Sequence, residues 1–200
     1  MARTQAADYE QRRTAIVDHA ARLFASTGFS GASVSDLAAA CETSKSLIYH
    51  YYPSKEDILY AVMASHVDQL AADVAEVTAR QAPAPDLLRD LVRAFMRHYV
   101  GAAERQKVLL NERDRLPADK RRAIVAKQRR IIDAVSTLIR AADPRLADDP
   151  ARVRVQTMLL FGMINWTHTW FDPTGPIGAE ELADMAVDLV LPVLPSSPRA

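Results

Sequence analysis

A cluster of hydrogen-bond donors lies on one predicted short helix, and its members are Ser44, Lys45, Ser46, Tyr49 and His50. Hydroxyl, ammonium and ring N–H groups suit phosphate oxygens, and contacts of this kind position a protein on a nucleic acid. Leu47 belongs to the same outward set, where an apolar side chain can contact a thymine methyl group in the major groove. The chemistry open to these residues is therefore binding to phosphates and base edges.

Two predicted helices must position that set. Ser33 and Asp36 have the spacing of a capping box, which predicts a short helix to about Ala40. A second short helix follows from about Ser44 to Tyr51, after a break of about three residues. This is the spacing of a helix-turn-helix, in which the second helix enters the major groove.

The second helix has an inward side as well. Ile48 and Tyr52 are separated by four residues, so both side chains should point into a small N-terminal core. A second capping box, Ser54 to Asp57, starts a long helix directly after Pro53.

The whole chain is predicted to be helical. Glycine is rare, with 6 residues in 200, and no stretch shows the sustained period-two alternation of a strand. Gly28 is expected to end the first helix. The predicted helices are residues 10–27, 33–40, 44–51, 54–80, 88–99, 104–113, 116–142, 150–171 and 179–191.

Composition excludes several classes of protein. The chain has 49% hydrophobic residues, 25 basic and 25 acidic residues, and a single cysteine, Cys41. One thiol makes no internal disulfide, and the longest apolar run, 158–164, is far shorter than the roughly 20 residues of a membrane span. We therefore expect a cytoplasmic protein without contact to a membrane. The spacing of the histidines and carboxylates predicts no metal site, no cofactor and no catalytic pair.

Three segments resemble a known family. Residues 24–29, 32–38 and 44–59, read together in this order and spacing, strongly resemble the DNA-binding domain of the TetR family of repressors. The resemblance implies an all-α fold: a three-helix helix-turn-helix domain at residues 1–57 and a six-helix ligand-binding and dimerisation domain at residues 58–200. It also implies that such a repressor, as a homodimer, binds a near-palindromic DNA operator.

The same resemblance assigns roles to single residues. It implies that Ser33 contacts phosphate, that Lys55 grips the DNA backbone, and that the third helix reads the major groove through Ser44, Lys45, Ser46, Leu47, Tyr49 and His50. Glu42 departs from the family pattern, which has glycine in the turn. If that turn needs a positive φ, the departure costs roughly 1–2 kcal/mol.

The C-terminal region carries candidate effector-binding residues. The segment from Trp166 to Pro176 resembles, more weakly, the family members that sense acyl-CoA thioesters. This implies a small hydrophobic effector. The proposed wall of an apolar tunnel is Phe95, Tyr99, Leu110, Phe161, Trp166 and Trp170. The proposed phosphate-binding residues are Arg113, Arg121, Arg129 and Arg130, because the guanidinium fork suits phosphate oxygens. They lie in residues 81–145, which hold 15 basic and 8 acidic side chains.

The last two helices are expected to form the dimer interface. Gly162 in the middle of a helix indicates a close helix contact, since glycine there costs about 1 kcal/mol against alanine. The proposed interface residues are Met158, Leu159, Gly162, Leu182, Met185, Ala186 and Leu189. Two such helix pairs would make a four-helix bundle.

Other interpretations stay open at this stage. The tryptophans could belong to the core or the dimer interface, and the effector could be a hydrophobic or aromatic molecule other than a thioester. The protein could also be a constitutive DNA-binding protein without a ligand, or an all-helical enzyme, although its sequence shows no paired catalytic residues.

Overall fold

The structure is a computed structural model that describes the backbone of residues 2–191 and the side chains from residue 8 onward. Within that range it contains nine α-helices and no strand. Their bounds are α1 Ala2–Gly31, α2 Val34–Ala40, α3 Lys45–Tyr51, α4 Lys55–Thr78, α5 Ala84–Gly101, α6 Ala103–Asn111, α7 Ala118–Ala142, α8 Pro150–Asn165 and α9 Ala179–Val190. The all-α prediction, with a helix-turn-helix at the N-terminus, is confirmed. Among the described residues, no helix is both long and apolar enough to cross a membrane.

The chain forms two compact units. Unit one comprises Met1–Asp68 and Ala102–Ala126, and unit two comprises Gln69–Gly101 and Lys127–Ala200. The predicted division between residues 57 and 58 stays a prediction, and unit one takes in α6 and the first part of α7 besides the N-terminal helices.

Unit one has a closed apolar core. Its largest fully buried side chains include Leu37, Ile48, Ile58 and Ile124, which come from α2, α3, α4 and α7. Burial of each such side chain contributes roughly 1.5–3 kcal/mol. The inward positions predicted for Ile48 and Tyr52 are confirmed, since they are 0% and 4% exposed.

Gly28 ends the first helical stretch, as predicted. It has a non-helical φ of 73° and ψ of 159°, and α1 joins this stretch across a kink to a second, short one that reaches Gly31. This region of backbone conformation is essentially restricted to glycine. A Cβ atom at this position would also lie 3.3 Å from Glu112 Oε1. The predicted end of the first helix at Gly28 is therefore confirmed.

Unit two is built on α5, α7, α8 and α9. Helix α5 buries one full side, including Leu91, Phe95 and Met96. Ion pairs join α5 to α9: Arg93 donates two hydrogen bonds to the Asp184 carboxylate at 2.8 and 2.7 Å, and Arg89 reaches Asp188 at 2.6 Å. The Arg93 guanidinium holds the pKa of Asp184 below its usual value, chiefly through hydrogen bonding.

Helix α8 is shorter than predicted. It ends at Asn165, and residues Trp166–Thr169 form a 3₁₀-helix. Two hydroxyl groups there donate hydrogen bonds to backbone carbonyl oxygens. Thr167 Oγ1 donates to Ile164 O and Thr169 Oγ1 donates to Trp166 O, both at 2.7 Å. Local side-chain bonds of this kind compete with the α-helical pattern.

Candidate nucleic-acid interface

The first helix of the pair is held by a complete capping box. Ser33 Oγ accepts the Asp36 N–H at 3.1 Å, and Asp36 Oδ2 accepts the Ser33 backbone N–H at 3.0 Å and the Ser33 hydroxyl at 2.7 Å. These hydrogen bonds lower the pKa of Asp36, with the Ser33 hydroxyl as the largest cause. Both Ser33 donors are used by Asp36, so a phosphate contact by Ser33 would require one of them to change partner.

The second helix begins at a serine cap. Ser44 Oγ accepts the Leu47 N–H at 3.2 Å, so its hydroxyl proton can be donated to another acceptor. The predicted outward residues Ser44, Lys45, Ser46, Tyr49 and His50 are exposed, while Leu47 is half-buried. Because Ile48 anchors the opposite side in the core, α3 presents its donors together on one surface.

The turn between α2 and α3 contains a strained residue. Glu42 has φ 51°, in the left-handed region of backbone conformation that favours glycine. The family pattern, which has glycine at this position, had raised this possibility. The Thr43 N–H donates to Ala38 O at 2.9 Å and closes the turn. The turn geometry is therefore kept without glycine, at a cost in backbone energy.

Replacing Glu42 with glycine should stabilise the protein. Relief of the left-handed strain is worth roughly 1–2 kcal/mol, and the greater freedom of glycine in the unfolded chain removes about half of it. We expect a net gain of about 1 kcal/mol in the free energy of unfolding, measured by urea titration with circular dichroism. Glu42→Ala is the matched control, because it removes the charge and keeps the Cβ atom. Equal stabilisation by both variants would show that charge, and not φ, is the cause.

Lys55 is used inside the unit. Its Nζ donates to Phe29 O at 2.7 Å and to Ala32 O at 2.8 Å, and lies 4.2 Å from the centre of the Phe29 ring. The resemblance implied that this ammonium grips the DNA backbone. Two of its three protons tie the start of α4 to the end of α1, which leaves one for a phosphate oxygen, and the contact to DNA stays a prediction.

Two ion pairs that sequence reasoning missed join α6 and α7 to the N-terminal helices of unit one. Lys120 Nζ lies 2.5 Å from Asp57 Oδ1, and Arg105 pairs with Asp18. Hydrogen bonding from Lys120, followed by that from Ser54, lowers the pKa of Asp57. Asp57 was predicted only as a capping residue, and no local pattern could have identified partners 63 and 87 residues away.

The proposed effector-binding residues do not form one set. In unit two Phe95 stacks on Tyr99 and on Phe161, with ring centres 6.4 and 6.3 Å apart, and all three are buried. Trp166 and Trp170 are instead 64% and 59% exposed. Leu110 is an exposed residue of α6 and belongs to unit one.

The four proposed arginines are also divided. Arg113 and Arg121 lie in unit one at the same carboxylate, 3.9 and 4.0 Å from Asp114 Oδ1. Arg129 and Arg130 are exposed on the part of α7 that belongs to unit two. Arginine side chains that bind one ligand must converge on it, so the four residues do not make one phosphate site within either unit.

An apolar groove of about 520 Å³ lies between α8 and α9, and we call it the α8–α9 groove. All seven proposed interface residues line it: Met158, Leu159, Gly162, Leu182, Met185, Ala186 and Leu189. Trp166 and Trp170 line it as well. Among the described residues, no atom lies within 4 Å of the position that a Cβ at Gly162 would take. The close contact predicted for this glycine is therefore not made by any residue that the structure describes.

Family models match both parts of the chain. Residues 16–62 match the model described as bacterial regulatory proteins of the tetR family, and residues 81–194 match a tetracyclin repressor-like C-terminal domain. The chain belongs to the TetR family. Members of the TetR family are DNA-binding transcriptional regulators and not enzymes. The prediction of a DNA-binding regulator, in preference to an all-helical enzyme, is therefore confirmed.

Solved structures support the same assignment. A TetR-family transcriptional regulator from Bordetella parapertussis is 38% identical, with 90% of this chain and 94% of that chain covered and a TM-score of 0.85. PfmR from Thermus thermophilus is 29% identical, with 88% and 96% covered and a TM-score of 0.79. AibR, solved in complex with isovaleryl coenzyme A and operator DNA, is 28% identical, with 90% and 98% covered and a TM-score of 0.79.

A curated relative matches over a short part of the chain. The uncharacterized regulator YuxN of Bacillus subtilis is 33% identical over 60 residues, which are 30% of this chain and 21% of that protein. The match therefore spans about a fifth of the length of YuxN.

Proposed function

We propose that this TetR-family regulator is a repressor that binds a near-palindromic operator as a homodimer, in the cytoplasm, and is released by a small hydrophobic effector. The observation that supports the DNA-binding role most directly is the geometry of α3. Its capped N-terminus, its buried anchor Ile48 and its exposed donors give the arrangement expected of a recognition helix.

The proposed dimer rests on the α8–α9 groove. Met158, Leu159, Met185 and Leu189 are 49–73% exposed, and they lie together with two exposed tryptophans. A contiguous apolar surface of this kind marks an interaction site. A second copy related by a two-fold axis would cover the same surface on both chains and bring a near neighbour to Gly162.

The proposed effector is an acyl-CoA thioester. Support comes from the buried stack of Phe95, Tyr99 and Phe161, which offers apolar surroundings for an acyl group. Further support is the likeness to AibR, which was solved with isovaleryl coenzyme A. Another hydrophobic or aromatic effector, or no effector, are the competing outcomes.

The experiment that tests the effector uses DNA selected by the protein itself. A duplex is selected from a random-sequence library with the full chain, and the complex is titrated with isovaleryl-CoA, phenylacetyl-CoA and longer acyl-CoA thioesters. We expect release by at least one thioester, at concentrations where the matching free acid and free coenzyme A have no effect. A population shift of this kind requires tighter binding of the effector to the DNA-free form.

Each contrary outcome has its own meaning. Release by free acids alone would exclude the thioester and keep the repressor role. Unchanged DNA binding with every compound would favour a constitutive DNA-binding protein. Arg113→Gln in unit one and Arg129→Gln in unit two test phosphate recognition in each unit separately, because both are among the predicted phosphate-binding residues. The variant that raises the thioester concentration needed for release identifies the unit whose arginines bind phosphate.

A further inference from the structure

Three aromatic rings meet at the end of the recognition helix. Tyr9 of α1 lies with its ring centre 4.7 Å from that of Tyr51 and 6.5 Å from that of His50, and the His50 ring meets it edge-on at 83°. His50 and Tyr51 are themselves 5.4 Å apart in an edge-to-face arrangement. Such geometries are the preferred ones for aromatic pairs.

The cluster constrains a helix that has little else to fix its last turn. Helix α3 is seven residues long and is anchored in the core by Ile48. At its end, the Tyr52 hydroxyl donates a hydrogen bond to Arg13 O at 3.4 Å. The Arg13 guanidinium lies 5.6 Å from the centre of the Tyr52 ring. Contacts from α1 therefore continue from the buried Tyr52 out to the exposed His50.

We propose that Tyr9 is a positioning residue for DNA recognition, acting through His50. Its ring limits the rotamers that are open to the exposed His50 side chain at the end of α3. Tyr9 lies outside the helix-turn-helix and was not among the predicted site residues. The inference rests on the proposed role of His50 in contacting DNA.

Two substitutions at Tyr9 separate the ring from the hydroxyl group. With the duplex selected by the full chain, Tyr9→Leu should weaken binding about three- to tenfold, the range expected for one aromatic pair. Tyr9→Phe keeps the ring and should bind like the unaltered protein. Affinities are compared below the lowest unfolding midpoint of the set, so that unfolded protein does not enter the comparison.

A double-mutant cycle with His50→Ala tests the route of the effect. In the His50→Ala background, Tyr9→Leu should change affinity by less than about twofold, because the partner that it positions is gone. Additive losses would overturn the inference, and so would an equal loss from Tyr9→Phe and Tyr9→Leu. Failure of the proposed function itself looks different, because His50→Ala and Lys45→Met would then leave binding to the duplex unchanged.

Discussion

Replacing Leu159 with arginine should convert the protein into a monomer that no longer holds its operator. Leu159 is 59% exposed and lines the α8–α9 groove, which we propose as the dimer interface. An uncompensated buried charge costs roughly 3–5 kcal/mol, and a two-fold axis places one on each side of the interface. Sedimentation at micromolar concentration should show a monomer in place of the dimer.

The affinity for the operator should fall when the dimer dissociates. Joining two reading helices makes the second binding event intramolecular, which is worth roughly a hundredfold or more in affinity. Ile177→Arg is the matched control, because Ile177 is an exposed apolar residue of unit two outside the groove. We expect that variant to remain dimeric. A dimer of unchanged stability for Leu159→Arg would place the interface elsewhere.

Replacing Lys55 with methionine should destabilise unit one by about 3 kcal/mol. The substitution removes two charge-assisted hydrogen bonds to Phe29 O and Ala32 O, and such bonds contribute about 1.5–3 kcal/mol each. The apolar stem of methionine keeps part of the packing on the Phe29 ring, which reduces the loss. Urea unfolding followed by far-ultraviolet circular dichroism measures the change in the free energy of unfolding.

Lys45→Met is the matched control for Lys55→Met. Lys45 is an exposed lysine on α3, so its loss should leave stability within about 0.5 kcal/mol and lower operator affinity instead. If Lys55→Met left unfolding unaltered and weakened only DNA binding, a direct phosphate contact would be its main role.

Features set by residues close in sequence could be predicted. The Ser33–Asp36 capping box, the serine cap of α3 and the inward positions of Ile48 and Tyr52 depend on separations of three or four residues. Propensity and hydrogen-bond geometry act strongly at that range. The positive φ at Glu42 was raised instead by the family resemblance, which has glycine at this position of the turn.

Features set by distant partners could not be predicted. Lys55 has the sequence position of a DNA contact, and only the folded chain brings Phe29 O within 2.7 Å of its Nζ. The tryptophan pair was placed on one continuous helix because apolar residues four apart indicate a common side. The hydroxyl groups of Thr167 and Thr169 bond backbone carbonyl oxygens where the α-helix ends. Those bonds depend on side-chain rotamers, which a hydropathy pattern does not predict.

The composition of unit one bears on the construction of chimeric regulators. A common way to retarget a sensor is to exchange its N-terminal DNA-reading segment as a contiguous cassette. Here such a cassette, cut after Asp68, would leave behind Val108, Leu109 and Ile124 of the same core, and the basic partners of Asp18 and Asp57. A functional graft should therefore carry residues 102–126 as a second insert, or redesign the surface of α1 and α4 that these residues cover.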